Sequence, residues 1–182
     1  MSQIVKRLQE ALDYQVTASS GLWQNAALQQ GLSTSKDNRI TQSGFRGVDT
    51  RYGFVDHLYH ALARQGIKTY RDDEMIVSHE HINPSKLKAN EESRIAVIIF
   101  SNNYSKSSWC LEELALIMKC KDERGQIVMP IFYHVEPQYI RKQYQEFEEG
   151  RYMTNVKKIE SWRKALVDAC NIPGWFVNNS HE

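Results

Sequence analysis

Two adjacent carboxylates, Glu112 and Glu113, stand in the run Ser107-Ser108-Trp109-Cys110-Leu111-Glu112-Glu113-Leu114. Carboxylates of this kind can serve as general acids or bases or stabilise a developing cation. Helical spacing separates the two. Each residue advances about 100° around a helix axis, so Leu111, Leu114, Ala115, Ile117 and Met118 share one apolar arc. Glu113 lies at the edge of that arc, one turn before Ile117, where it could grip a ligand at the rim of a cleft. Glu112 falls on the far side, beside Lys119. The spacing prefers Glu113 for chemistry. The plainer alternative is that both are first-turn carboxylates complementing the positive helix N-terminus.

Other chemistry-bearing groups are sparser. His79-Glu80-His81 places two imidazoles close together, but no further ligand is marked by spacing, so no metal site is expected. There is no GxGxxG and no Walker A pattern, hence no Gly-rich loop to hold a dinucleotide or nucleoside triphosphate. Cys110, Cys120 and Cys170 are odd in number and widely spaced, and read as reduced, packed thiols. With 23 basic against 22 acidic residues, no charge excess points to nucleic acid or an anionic membrane. No apolar run approaches the roughly 20 residues that span a bilayer. The first residues lack the apolar stretch of a secretory signal and include Glu10 and Asp13. A cytoplasmic or nucleo-cytoplasmic protein without a membrane partner is expected.

The elements that must position these groups follow from periodicity. Ile4, Leu8, Ala11 and Leu12 recur at helical spacing, after which the chain turns to Gln, Ser, Asn and Thr. Residues 1–43 are therefore expected to be a short amphipathic helix and a flexible linker, ahead of a domain over 44–182. Within that domain the pattern predicts helix over 54–65, strand over 67–70, helix over 84–92, strand over 94–100, helix over 109–120 and strand over 127–133. A further helix over 159–170 is closed by Asn171, Pro173 and Gly174. Such alternation predicts a doubly wound α/β sheet, which binds ligands beyond the carboxyl ends of its strands.

Five ordered motifs carry a family resemblance. They are Gly44-Phe45-Arg46-Gly47-Val48-Asp49-Thr50-Arg51, Phe54-Val55-Asp56-His57-Leu58, Gly66-Ile67-Lys68-Thr69-Tyr70-Arg71-Asp72-Asp73, the run 107–114, and Pro130-Ile131-Phe132-Tyr133-His134-Val135-Glu136-Pro137. In this order they resemble plant Toll/interleukin-1 receptor (TIR) domains. The similarity covers roughly 44–182, including Glu160-Ser161-Trp162-Arg163-Lys164-Ala165-Leu166.

The resemblance implies a flavodoxin-like three-layer α/β sandwich with a parallel central sheet. It also implies an enzyme of plant innate immunity that cleaves the nicotinamide–ribose bond of NAD+, with NAD+ as substrate and no cofactor. The family's catalytic glutamate falls on Glu113. Phe45 matches an aromatic lining the nucleotide pocket, Arg46 and Arg51 match basic residues near the ligand, Trp109 would pack on the nucleotide and Ser107 would hydrogen-bond it. Asp72 opens a loop that reaches toward a neighbouring protomer's site. Asp56 and His57 match positions used in helix-to-helix self-association, and other TIR proteins or immune receptors are implied as partners. The alternative is a non-catalytic TIR interaction module in defence signalling.

Five departures shape the expectations. Family members carry an apolar strand directly ahead of the Phe-Arg-Gly motif, whereas residues 37–43 here are polar. The first strand is therefore expected to be missing or replaced by another segment. Val48 replaces a common acid, and the loop over 76–80 lacks an Arg-Gly. Asn90 stands at a usually apolar helix position, where a buried amide needs partners. The chain between Gln143 and Ile159 is expected to hold only a remnant of a helix, around Phe147-Glu148-Glu149-Gly150.

Overall fold

The apolar run Ile95–Phe100 is buried at all six positions and forms a strand with neighbours on both sides. Continuous burial is what a strand covered on both faces by helices requires. The computed structural model describes residues 3–10, 39–43, 51–71, 84–151 and 156–177. The described strands are β1 (Arg39–Ser43), β2 (Lys68–Arg71), β3 (Ile95–Phe100), β4 (Ile127–Tyr133) and β5 (Trp175–Val177). They make one parallel sheet in the order β2-β1-β3-β4-β5.

The helices are α1 (residues 3–10), α2 (Asp56–Arg64), α3 (Pro84–Glu92), α4 (Ser108–Arg124), α5 (Pro137–Arg151) and α6 (Val156–Asn171). Alternation along the strands divides the core in two. Ala96, Ile98 and Phe100 of β3, with Val128 and Phe132 of β4, pack against α4, α5 and α6. Ile95, Val97 and Ile99, with Met129 and Ile131, face the other way, toward α1 and α2. The period of 2 in the strands thus builds the two outer layers of the sandwich.

Two expectations are corrected here. The first strand is neither missing nor replaced: the polar segment Arg39–Ser43 is β1, paired with β2 through Ile40↔Thr69 and with β3 through Ile40↔Ile95. The ladder is made by backbone amides and carbonyls, so a strand of polar side chains satisfies its neighbours as well as an apolar one. The sheet therefore reaches back across the expected boundary at residue 43. Likewise, the chain after Gln143 is no remnant, because α5 runs unbroken from Pro137 to Arg151.

Asn90 is fully buried, as its position suggested. Its backbone carbonyl, not its side chain, accepts Nε2–H of Gln126 at 2.7 Å, and the Gln126 amide also donates to the Ser93 backbone carbonyl at 2.8 Å. Gln126 thereby serves the carbonyl end of α3, which otherwise has no intrahelical donors.

Candidate functional site

The helix that carries the two glutamates is fixed at both ends. Ser107 is its N-cap, with Oγ accepting the Cys110 N–H at 3.3 Å and the Ser107 carbonyl accepting the Leu111 N–H at 3.1 Å. Gly125 closes it in the left-handed conformation (φ 67°), donating to Lys121 O, while Lys121 and Arg124 complement the negative C-terminus. Because Ser108 is the first helical residue, no acid lies in the first turn. Glu112 and Glu113 stand one turn further in, which removes the expectation that they complement the helix N-terminus.

Their environments differ sharply. Glu113 is 3% exposed, on the side of α4 that faces the core. Glu112 points to α6, where its Oε2 accepts the Trp162 indole N–H at 2.8 Å and pairs with Lys158 Nζ at 3.1 Å. Lys158 also lies 5.2 Å from the centre of the Trp162 ring. Glu112 thus joins two helices and is engaged in that role. Lys119, its expected neighbour, pairs with Glu123 instead.

Tyr104, which the sequence did not single out, is the buried partner of this helix turn. It begins a 3-10 turn, Tyr104–Lys106, between β3 and α4. Its ring is fully buried, 4.6 Å from that of Phe100, and its hydroxyl donates to Cys110 O at 3.2 Å. Burial, and after it the electrostatic influence of Cys110, Glu113 and Cys170, holds its phenol well above the usual range, so it stays a neutral donor. Next to it, buried Ser105 donates to Gln143 Oε1 at 3.0 Å and ties the turn to α5. A tyrosine three residues before the helix cap, just beyond an apolar strand, was the available signal.

The sheet order shows where a ligand would enter. From β1 the chain goes to β2 on one side and then crosses to β3 on the other, so the crevice at the carboxyl ends of β1 and β3 is the topological switch point. Ser107, Trp109 and Glu113 all lie on the turn and helix that follow β3; Trp109 is half-buried. Ser43 and Arg71, the ends of β1 and β2, immediately precede the segments holding Phe45, Arg46 and Asp72. Those three residues, with Val48 and the 76–81 loop, lie outside the described residues. Arg51 opens a π-helical turn, Arg51–Val55, that leads into α2.

Two concavities lie elsewhere. One, of about 560 Å³, sits beyond the carboxyl ends of β3 and β4, lined by Asn102, His134, Glu136, Tyr139 and Lys142 among others. Glu113 does not line it. The other, of about 640 Å³, brings Asp56 and His57 together with His60 and Arg64 on the outer side of α2. There His57 is exposed and its Nδ1–H donates to Gly53 O at 2.8 Å, while His60 Nε2 lies 3.7 Å from Asp56 Oδ1.

No disulfide joins the three cysteines, all of them buried. Burial raises the Cys120 thiol and pushes that of Cys170 up to about 12. Among the described residues no group of His, Cys, Asp or Glu could hold a metal ion, and no described helix is long and apolar enough to cross a membrane.

Comparison with known proteins agrees with this architecture. A family model described as the TIR domain matches residues 42–182. The disease resistance protein RPV1 of Vitis rotundifolia is 54% identical over 136 residues, which are 73% of this chain and 10% of that protein. The TMV resistance protein N of Nicotiana glutinosa is 44% identical over 136 residues, 71% of this chain and 12% of that protein. The chain therefore spans only a small part of the curated relatives it matches. Among solved structures, the TIR domains of the activated Roq1 resistosome directly recognizing the pathogen effector XopQ align with a TM-score of 0.67 and 39% identity. That alignment covers 79% of this chain and 90% of theirs.

Proposed function

The chain belongs to the TIR domain family, and from that premise we propose that it is an NAD+ glycohydrolase of plant immune signalling, activated by self-association in the cytoplasm. The observation that carries the proposal is Glu113, a carboxylate 3% exposed on the helix that follows the central strand β3. Nicotinamide in NAD+ is a cationic leaving group, so its bond to ribose breaks without a strong acid and leaves an oxocarbenium-like sugar. A carboxylate beside that sugar stabilises the cation, orients the ribose hydroxyls and accepts the proton of an attacking water. The products are nicotinamide and an ADP-ribose-type signalling molecule. Arg46 and Arg51 suit the diphosphate because a guanidinium binds it bidentately, Phe45 and Trp109 supply rings to pack on the nucleotide, and Ser107 and Asp72 supply polar contacts.

Self-association would use the outer side of α2, where Asp56 and His57 share a concavity with His60 and Arg64. The resemblance to the TIR domains of a resistosome supports such assembly. A second reading, a non-catalytic TIR interaction module, is favoured by the concavity on the outer side of α2, which needs no catalytic group to serve assembly.

Nicotinamide release by the purified chain, followed as protein concentration rises, decides between them. The wild type should turn over with a rate per protomer that increases with concentration. Glu113→Ala should lose at least about 100-fold, whereas Glu112→Ala should stay within a few-fold of wild type. Equal turnover by Glu113→Ala would overturn the assignment, and no turnover by the wild type at any concentration would establish the interaction module instead.

A further inference from the structure

Connections between elements ordinarily run over the surface, yet Tyr104 and Ser105, in the link from β3 to α4, are fully buried. The link is a single 3-10 turn, in which Tyr104 N–H donates to Ser101 O, Lys106 N–H to Asn103 O and Ser107 N–H to Tyr104 O, each at 3.1 Å. Two side-chain bonds leave it. The Tyr104 hydroxyl reaches forward to Cys110 O in the first turn of α4, and the Ser105 hydroxyl reaches across to Gln143 Oε1 of α5 at 3.0 Å, over 38 residues of chain. Gln143 is 5% exposed, so this bond is shielded from water at both ends. Ile140 and Tyr144 of α5 flank it and belong to the same apolar cluster as Tyr104, Cys110 and Leu111.

We infer that Ser105 and Gln143 are positioning residues for Glu113, with α5 setting the place of the turn from which the glutamate's helix starts; this rests on the hydrolase reading above. Apolar packing is non-directional and lets a turn slide, whereas a hydrogen bond holds its two oxygens at one separation and angle. Ile140 and Tyr144 therefore keep α5 against the turn, and the Ser105–Gln143 bond fixes where along α5 the turn sits. From there the constraint passes along the backbone. Ser107, two residues on, caps α4 through the Cys110 N–H, and Glu113 lies on the same helix. The electrostatic influence of Glu113 reaches the Tyr104 phenol, which places the carboxylate near the turn. A shift of about 1 Å in a group that acts on the reacting bond costs up to about 100-fold in rate. Loss of the Ser105–Gln143 bond should therefore lower turnover more than substrate binding.

Steady-state nicotinamide release and urea unfolding of the full chain, as wild type, Ser105→Ala, Gln143→Met and the double variant, separate positioning from packing. Each single variant should lower kcat about tenfold with KM changed by less than about twofold, and should lower the urea midpoint because the partner left behind is a buried polar group without its bond. The double variant, apolar at both positions, should regain most of the midpoint and none of the kcat. Its amides at Cys110 and Leu111 should still exchange faster than in wild type. Gln145→Met, exposed on the same helix, should match wild type throughout. Recovery of kcat together with the midpoint in the double variant would overturn the inference, as would unchanged kcat in both single variants or a loss confined to KM; each of these leaves the hydrolase reading standing. Where a single variant does not fold, the double variant decides, and wild-type kcat from it overturns the inference. A wild type that releases no nicotinamide removes the hydrolase reading and this inference with it.

Discussion

At the level of single residues, neighbouring glutamates end in different roles because the helix turns by about 100° between them. Glu112 meets an indole N–H and an ammonium group on α6, while Glu113 turns inward beside the turn that Tyr104 anchors. Tyr104→Phe keeps the ring and removes one buried hydrogen bond to Cys110 O. Urea unfolding should report a loss of about 1 kcal/mol, and nicotinamide release should slow about tenfold because the first turn of α4 loses its anchor. An unaltered rate in a destabilised variant would reduce Tyr104 to a packing residue.

Cys170, at about 12, predicts an alkaline weakness. In the unfolded chain a thiol titrates near about 8.5. The folded state holds its proton to higher pH, so the stability that this thiol contributes is complete below about pH 8.5 and declines as pH rises toward about 12. Urea midpoints measured from pH 8 upward should fall, and Cys170→Ala should flatten the slope. The native thiol should also resist alkylation at pH 8 until the protein is unfolded.

At the level of elements, the helices and strands with a clear period lie where the sequence places them, with ends shifted by a few residues. The strand Ile127–Tyr133 and the helix Pro84–Glu92 agree at both ends. The helix expected over 109–120 instead runs Ser108–Arg124, because its cap is Ser107 and its stop is Gly125. β5 has three residues, too few for any period to show, and it is positioned by contact. Gly174 precedes it, and a Cβ there would come 2.5 Å from Pro130 O and 2.8 Å from Phe132 Cε2. Gly174→Ala should therefore cost about 1–3 kcal/mol through overpacking. The His134 N–H, bonded to Val177 O at 2.9 Å, should lose protection from exchange first. Full protection in the variant would show that β5 can shift without leaving β4.

For the molecule as a whole, β1 is the decisive element. It is the second strand of five, and the only described link between β2 and β3 is made by its backbone. Proline removes an N–H and is not tolerated in a central strand. Thr41→Pro should leave a chain with no cooperative thermal transition, measured by near-UV circular dichroism. A variant that still melts cooperatively would show that the sheet closes around the break.

Element order was legible in the sequence, since it depends on local period, a property of consecutive residues, and the same period set Glu113 apart from Glu112 on the core side of α4. The ordered motifs likewise pointed to the family that the 42–182 match establishes. Three features were decided only by tertiary structure. The polar residues 39–43 become a central strand because neighbouring backbones need partners, a demand that hydropathy does not record. Glu112 is drawn to Trp162, 50 residues away, by a contact between helices that no spacing encodes. And the position of α1, whose helix the spacing of Ile4 and Leu8 already marked, is set by burial of Ile4, Val5 and Leu8 against residues of α2 and β3 far along the chain, which no period encodes.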